Sequence, residues 1–239
     1  MLTKLDRIAE IAKEKPKEQF TSLIHLIDKE MLMQCHKQLN GRKATGTDNV
    51  TKQEYEVNLE ENIDNLIISM KNHTYKPQPV KRVYIPKSNS ENKRPLGIPA
   101  YEDKIVQLAI NKILTAIYEQ DFLDCSFGFR PNRSCHDAIK ILDVYLTKKN
   151  TNYVVDADVK GFFDHVSHEW MMKFLEVRIK DPSLLRLIGR FLKAGIMEQG
   201  KFYKVYEGTP QGGIISPSLA NVYLHYVLDL WFEKVVKKY

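Results

Sequence analysis

The chain has 239 residues, of which 43% are apolar, with 36 Lys and Arg against 30 Asp and Glu. That length can bury a large core as one domain or two lobes, and the apolar content excludes a disordered tail. The formal charge of +6 is mild, but it is unevenly spread: Lys76, Lys81, Arg82, Lys87, Lys93 and Arg94 face only Glu91 within residues 76–94. Such a stretch fits a polyanionic partner, or else a solvated face that aids solubility. Cys35, Cys125 and Cys135 form no even framework and no zinc spacing, which points to reduced thiols and a cytoplasmic protein. Lys4, Asp6, Arg7, Glu10, Lys13, Glu14 and Lys15 exclude a signal-peptide core, and no run of about eighteen apolar residues follows to span a membrane.

In chain order, Phe20, Leu23, Ile24, Ile27, Met31, Cys35 and Leu39 recur at three- and four-residue steps, predicting an amphipathic helix that Asn40 and Gly41 terminate. The loop Gly41 to Asp48 carries Arg42 and Lys43 and could hold a phosphate, though without P-loop spacing. Thr51 and Glu54 form a capping box for a second helix with Tyr55, Leu59, Ile63, Leu66, Ile67 and Met70 inward. Strands are predicted at Val80 to Pro86 and Arg94 to Pro99, forming a basic hairpin. An apolar helix follows at Asp103 to Glu119, then an aromatic loop, Phe127-Gly128-Phe129-Arg130-Pro131, and a helix capped by Ser134 that runs to about Lys148.

Tyr153 to Asp164 reads as a buried strand ending in acid. Val155, Ala157 and Val159 would line one face, and Val154, Asp156 and Asp158 the other, before Gly161 turns the chain. Those carboxylates suit either a solvated edge or a cleft that holds a divalent cation. Helices are predicted at His168 to Ile179 and Pro182 to Ala194, and a short strand at Phe202 to Tyr206. The loop Gly208-Thr209-Pro210-Gln211-Gly212-Gly213 precedes a terminal helix opened by Ser216-Pro217. The irregular mixture of strands and helices indicates an α+β fold.

Tyr84-Ile85-Pro86-Lys87, Arg94-Pro95-Leu96-Gly97-Ile98-Pro99, the Phe127 loop, the acidic stretch and Gly208 to Pro217 stand in the order found in reverse transcriptases encoded by group II introns, and the chain resembles that family over nearly its whole length. The resemblance implies right-hand polymerase fingers and a partial palm, with helices packed on a small antiparallel sheet. It places an N-terminal extension and fingers at 1–150 and part of the palm at 151–239, the latter with a helical insertion at 167–195. It implies RNA-directed DNA polymerisation that copies intron RNA and assists splicing and mobility, or alternatively an RNA-binding splicing module without catalysis. Partners would be intron RNA, primer-template and deoxynucleotides, with no membrane.

Carried over residue by residue, Asp158 matches a metal-binding aspartate and the Val159 carbonyl a further ligand in a two-magnesium site. Lys87 and Arg94 match triphosphate contacts, Phe163 the aromatic gate beneath the sugar, Gln211 a residue along the nucleotide, and Leu96 and Ile98 contacts to the templating base. Asp156 has no assigned role. Arg42, Lys43, Lys81, Arg82, Arg130 and Arg133 are the expected RNA contacts. The family's Tyr-Ala-Asp-Asp hairpin does not occur in this sequence, and Asp229 lies in an apolar helical run that cannot replace it. The expectation is therefore a fragment with an incomplete magnesium site, inactive alone and able to pair with a second copy through its palm face.

Overall fold

The computed structural model describes residues 3–86, 93–148 and 151–238. Thr3 opens helix α1 (Lys4–Glu14) through a capping box with Asp6. Its Leu5, Ile8 and Ile11 pack on the core, a stripe hidden at sequence level by the surrounding charge. The helix expected from Phe20 starts later. Phe20 instead forms a parallel bridge with Ile179, and helix α2 (Lys29–Gln38) begins where the Asp28 carboxylate accepts the Met31 N–H at 2.9 Å. The Thr51–Glu54 capping box is present, but the helix it opens breaks at Asn58 into α3 (Lys52–Glu56) and α4 (Leu59–Lys71).

Strands β1 (Val80–Pro86) and β2 (Lys93–Ile98) pair antiparallel, with Arg82 opposite Gly97 and Val83 opposite Leu96. Helix α5 (Tyr101–Tyr118) then runs through the centre. Ile105, Val106, Ala109, Ile110, Ile113, Leu114 and Ile117 on it are all buried, each large side chain contributing roughly 1.5–3 kcal/mol of apolar transfer energy. One core joins it to residues from Ala12 to Val222, so the two expected regions share their interior.

Helix α6 (Cys135–Lys148) is capped as expected, Ser134 Oγ accepting the Asp137 N–H and the Asp137 carboxylate accepting the Ser134 N–H, yet it buries no residue. Helices α7 (His168–Arg178) and α8 (Pro182–Leu192) match expectation. They lead into β3 (Ile196–Glu198) and β4 (Lys201–Tyr203), a hairpin of which only the second strand was anticipated. The sheet order is β2-β1-β3-β4. It is mixed, not purely antiparallel, because β3 returns from the helical insertion and enters beside the start of β1, placing Val80 next to Ile196 in parallel register. The terminal helix comprises α9 (Ser216–Leu224), a π-helical turn at His225–Asp229 and α10 (Leu230–Lys234).

The acidic stretch departs most from expectation. Residues 151–159 form no strand and are exposed, Tyr153 at 90% and Val155 at 89%. A strand needs a ladder, and among the described residues none runs beside this segment, so its N–H and C=O groups face water. Gly161 does turn the chain as anticipated, at φ 63°, into a 3-10 turn at Phe162–Asp164. The α+β class stands. No helix among the described residues is long and apolar enough to cross a membrane.

Candidate active site

The loop 208–213 is fixed from four sides. The Gly208 N–H donates to Val166 O and the Thr209 N–H to Phe163 O, both at 2.7 Å, joining the loop to the turn that carries Phe163. His168, on α7, donates from Nε2 to Gly208 O at 2.6 Å, which sets its tautomer and leaves its buried Nδ1 without a partner among the described residues. From β2, the Gly97 N–H donates to Gln211 O at 2.6 Å. From α5, Gln107 Oε1 accepts the Ile214 N–H at 2.8 Å, and Ser216 Oγ donates to Pro210 O at 2.8 Å while accepting from Thr209 Oγ1.

Such close approach requires glycine at two points. Gly208 has φ +85°, and a Cβ there would lie 2.7 Å from Asp164 O. Gly212 has φ +102°, and its Cβ would lie 2.8 Å from Gly97 O.

This packing builds a cleft of about 490 Å³, walled by Arg82, Pro95 and Gly97 from the sheet, Phe163 and Asp164 from the turn, and Lys204 to Gln211 from the loop. Arg82, Phe163 and Gln211 thus meet in one cavity. Phe163 is half-buried, backed by the Phe162 ring in a T-shaped contact at 5.5 Å. Arg82 Nε is buried and has no hydrogen-bond partner among the described residues. The cleft therefore offers a cation, an aromatic wall and an amide side chain, a combination suited to a phosphorylated ligand with a flat ring system.

Other expected residues lie elsewhere. By strand alternation Arg94, Leu96 and Ile98 point to the sheet face opposite Pro95 and Gly97, and Lys81, paired with Ile98, shares that face and donates to Asn49 Oδ1 at 3.3 Å. Arg42 and Lys43 are exposed in their loop. Lys87 lies outside the described residues. Arg130 requires correction as an RNA contact. It is buried, pairs with Glu119 at 2.7 Å and donates to the carbonyls of Leu123 and Ser126, so its fork is consumed in holding the 123–130 loop. Arg133 is similarly tied to Asp124 at 2.7 Å and lies over the Phe127 ring.

A magnesium pair needs several convergent oxygens. Asp158 stands exposed on the extended segment, and among the described residues no three His, Cys, Asp or Glu side chains are grouped to hold a metal ion. As placed, Asp158 and the Val159 carbonyl do not make a magnesium site. Sequence reading also missed His168, Gln107, Lys204 and Tyr206. Gln107 carried a usable signal, being a lone amide inside an otherwise apolar helical run.

The 208–213 loop, the Phe163 turn and the β1–β2 hairpin thus meet at one cleft. Residues 85–239 match the family model described as reverse transcriptase (RNA-dependent DNA polymerase), and the chain belongs to that family. It is similar to the group II intron-encoded protein LtrA of Lactococcus lactis subsp. cremoris, 42% identical over 222 residues that cover 92% of this chain and 37% of the relative. It is also similar to protein YkfC of Escherichia coli (strain K12), 40% identical over 188 residues, covering 77% of this chain and 49% of YkfC. The chain thus spans less than half the length of these relatives. Among solved structures, the fold matches a chain of a Cas6-RT-Cas1--Cas2 complex with TM-score 0.51 and 22% identity, covering 89% of this chain and 34% of that one.

Proposed function

We propose that the chain is the fingers and first palm section of a group II intron-type reverse transcriptase, and that its cleft takes the incoming deoxynucleotide during RNA-directed DNA synthesis. The observation that carries this is the meeting of Arg82, Phe163 and Gln211 in one cavity, with the Phe163 turn and the Gln211 loop joined by backbone hydrogen bonds. In this reading the Phe163 ring fills the space a ribose 2′-hydroxyl would need, and Gln211 lies along the nucleotide. Lys87 keeps the triphosphate assignment that the resemblance gives it, whereas Arg94, Leu96 and Ile98, assigned by the resemblance to the triphosphate and the templating base, lie on the other sheet face and are not assigned to this cleft. Arg42, Lys43 and Lys81 are assigned to the RNA backbone, and Arg82, on the cleft wall, to phosphates where the RNA meets the cleft. Reverse transcriptases generally use divalent metal ions; binding and sugar selection are what this chain's own residues supply.

The test is made in a polypeptide extended to the length of the relatives. Phe163→Val should raise ribonucleotide incorporation relative to deoxynucleotide, while Lys87→Ala should weaken use of both, a lost charged contact costing about 1.5–3 kcal/mol. Unchanged sugar selectivity in the Phe163 variant would place the gate elsewhere.

Pairing with a second copy belongs to the same reading. The expected surface is the palm face, where Val227, Leu228, Trp231, Phe232 and Val235 of the terminal helix are exposed, apolar side chains that favour association. Sedimentation velocity showing a monomer at every concentration would remove that part.

A further inference from the structure

The sheet face that floors the cleft continues beyond it. Register and alternation put Arg82 and Tyr84 of β1, Glu198 of β3, and Lys201 and Tyr203 of β4 on one side, the side on which Arg82 and Ile196 wall the cavity. Tyr84 is 51% and Tyr203 49% exposed, so each ring presents half its surface to solvent. Tyr84 is held in place, its hydroxyl donating to Glu198 Oε1 at 2.6 Å. At the cleft's rim the Lys204 ammonium lies 5.0 Å from the centre of the Tyr206 ring, itself 75% exposed. Strand β4 is a sheet edge, covered by no other strand among the described residues.

Flat rings on an open sheet face, interleaved with cations, stack unpaired bases and neutralise the phosphates between them. We propose that this face, centred on Tyr84 and Tyr203, is a stacking platform for an unpaired stretch of RNA that leads to or from the cleft. The proposal rests on the polymerase reading above, in which the copied strand is RNA. Continuity with the cleft sets the path, and Arg82, Lys201 and Lys204 supply the charge complementarity. Glu198 and Glu207 would repel a phosphate placed directly over them, but a carboxylate accepts a hydrogen bond from a ribose 2′-hydroxyl, a donor that DNA lacks. That chemistry selects RNA over single-stranded DNA.

The experiment uses the 239-residue chain and fluorescein-labelled 12-nucleotide oligoadenylate, with affinity read by anisotropy across salt concentrations. Tyr84→Ala with Tyr203→Ala should weaken RNA binding at least about tenfold, because each stacked base is worth a factor of roughly five or more, and should leave the salt slope unchanged because no cation is lost. The double Tyr→Phe variant keeps both rings and should bind within about threefold of the parent, which separates stacking from misfolding. In the parent chain, 4-thiouridine placed in the oligonucleotide should photo-crosslink to β4. Equal affinity of the parent and the Tyr→Ala double variant, or an equal loss in the Tyr→Phe variant, would overturn the platform while leaving RNA binding intact. Equal affinity for oligodeoxyadenylate would overturn the assignment to RNA. No RNA binding by the parent chain at all would overturn the polymerase reading together with the platform.

Discussion

Replacing Gly208 by alanine tests whether the cleft is held as the geometry states. The added Cβ would sit 2.7 Å from Asp164 O and 2.9 Å from Phe163 O, at a φ of +85° that L-residues avoid. Backbone strain contributes about 1–2 kcal/mol. Relief of the clash must separate loop from turn, loosening the two 2.7 Å bonds from Gly208 N to Val166 O and Thr209 N to Phe163 O, at about 1 kcal/mol each. The expected loss is roughly 3–4 kcal/mol, read from the shift in urea midpoint at constant slope. Two other glycines isolate the contributions. Gly200, in the β3–β4 turn, has φ +78° with no described residue within 4 Å of an added Cβ, so Gly200→Ala should cost only the strain of about 1–2 kcal/mol. Gly189 lies inside α8 with equally open space and no positive φ, and Gly189→Ala should stabilise by roughly 0.5–1 kcal/mol. A Gly208→Ala cost no greater than that of Gly200→Ala would show that loop and turn are not packed as described.

Burial pushes the Asp103 carboxyl up to about 7 from its ordinary 3.8, against the Tyr75 hydroxyl and Gln78 N–H that it accepts. The folded state therefore holds this proton more tightly than the unfolded chain. Its contribution is complete below about pH 3.8 and is lost as pH rises toward 7, by at most about 4 kcal/mol, so the stability difference between the parent and Asp103→Asn should shrink accordingly over that range. A pH-independent difference would contradict the burial. Arg178, 2% exposed, donates to Asp121 at 2.6 Å and to Pro16 O at 2.7 Å, and Arg178→Met should cost about 3–5 kcal/mol in urea unfolding by stranding the carboxylate. Arg82→Gln should lower the salt slope of RNA binding by about 0.7, whereas Arg130→Gln should leave that slope unchanged, since Arg130 is spent on Glu119. Equal slope changes in filter binding would restore Arg130 as an RNA contact.

The sequence disclosed those elements whose signals are local. The Thr51 capping box, the Ser134 cap, the apolar run of α5 and the glycines of 208–213 each carry their own physics within a few residues. It did not disclose what depends on distant partners. Apolar residues and aspartates alternate at 155–159 as a strand would, but alternation does not supply a ladder. Arg130 in a loop looks like a free cation until Glu119 and two carbonyls are folded around it. The meeting of Phe163 with Gln211 was legible only through the family resemblance, because they lie 48 positions apart and no local pattern encodes the backbone bonds that join them.

RNA-templated primer extension with competing deoxy- and ribonucleotides, in a polypeptide extended to the length of the relatives, tests the nucleotide cleft most directly. If the Phe163 ring walls the sugar, Phe163→Val raises ribonucleotide use at least about tenfold relative to deoxynucleotide, a barrier change of about 1.4 kcal/mol. Identical discrimination by the parent and the variant, with both extending the primer equally well, would contradict the assignment of this cleft as the nucleotide site.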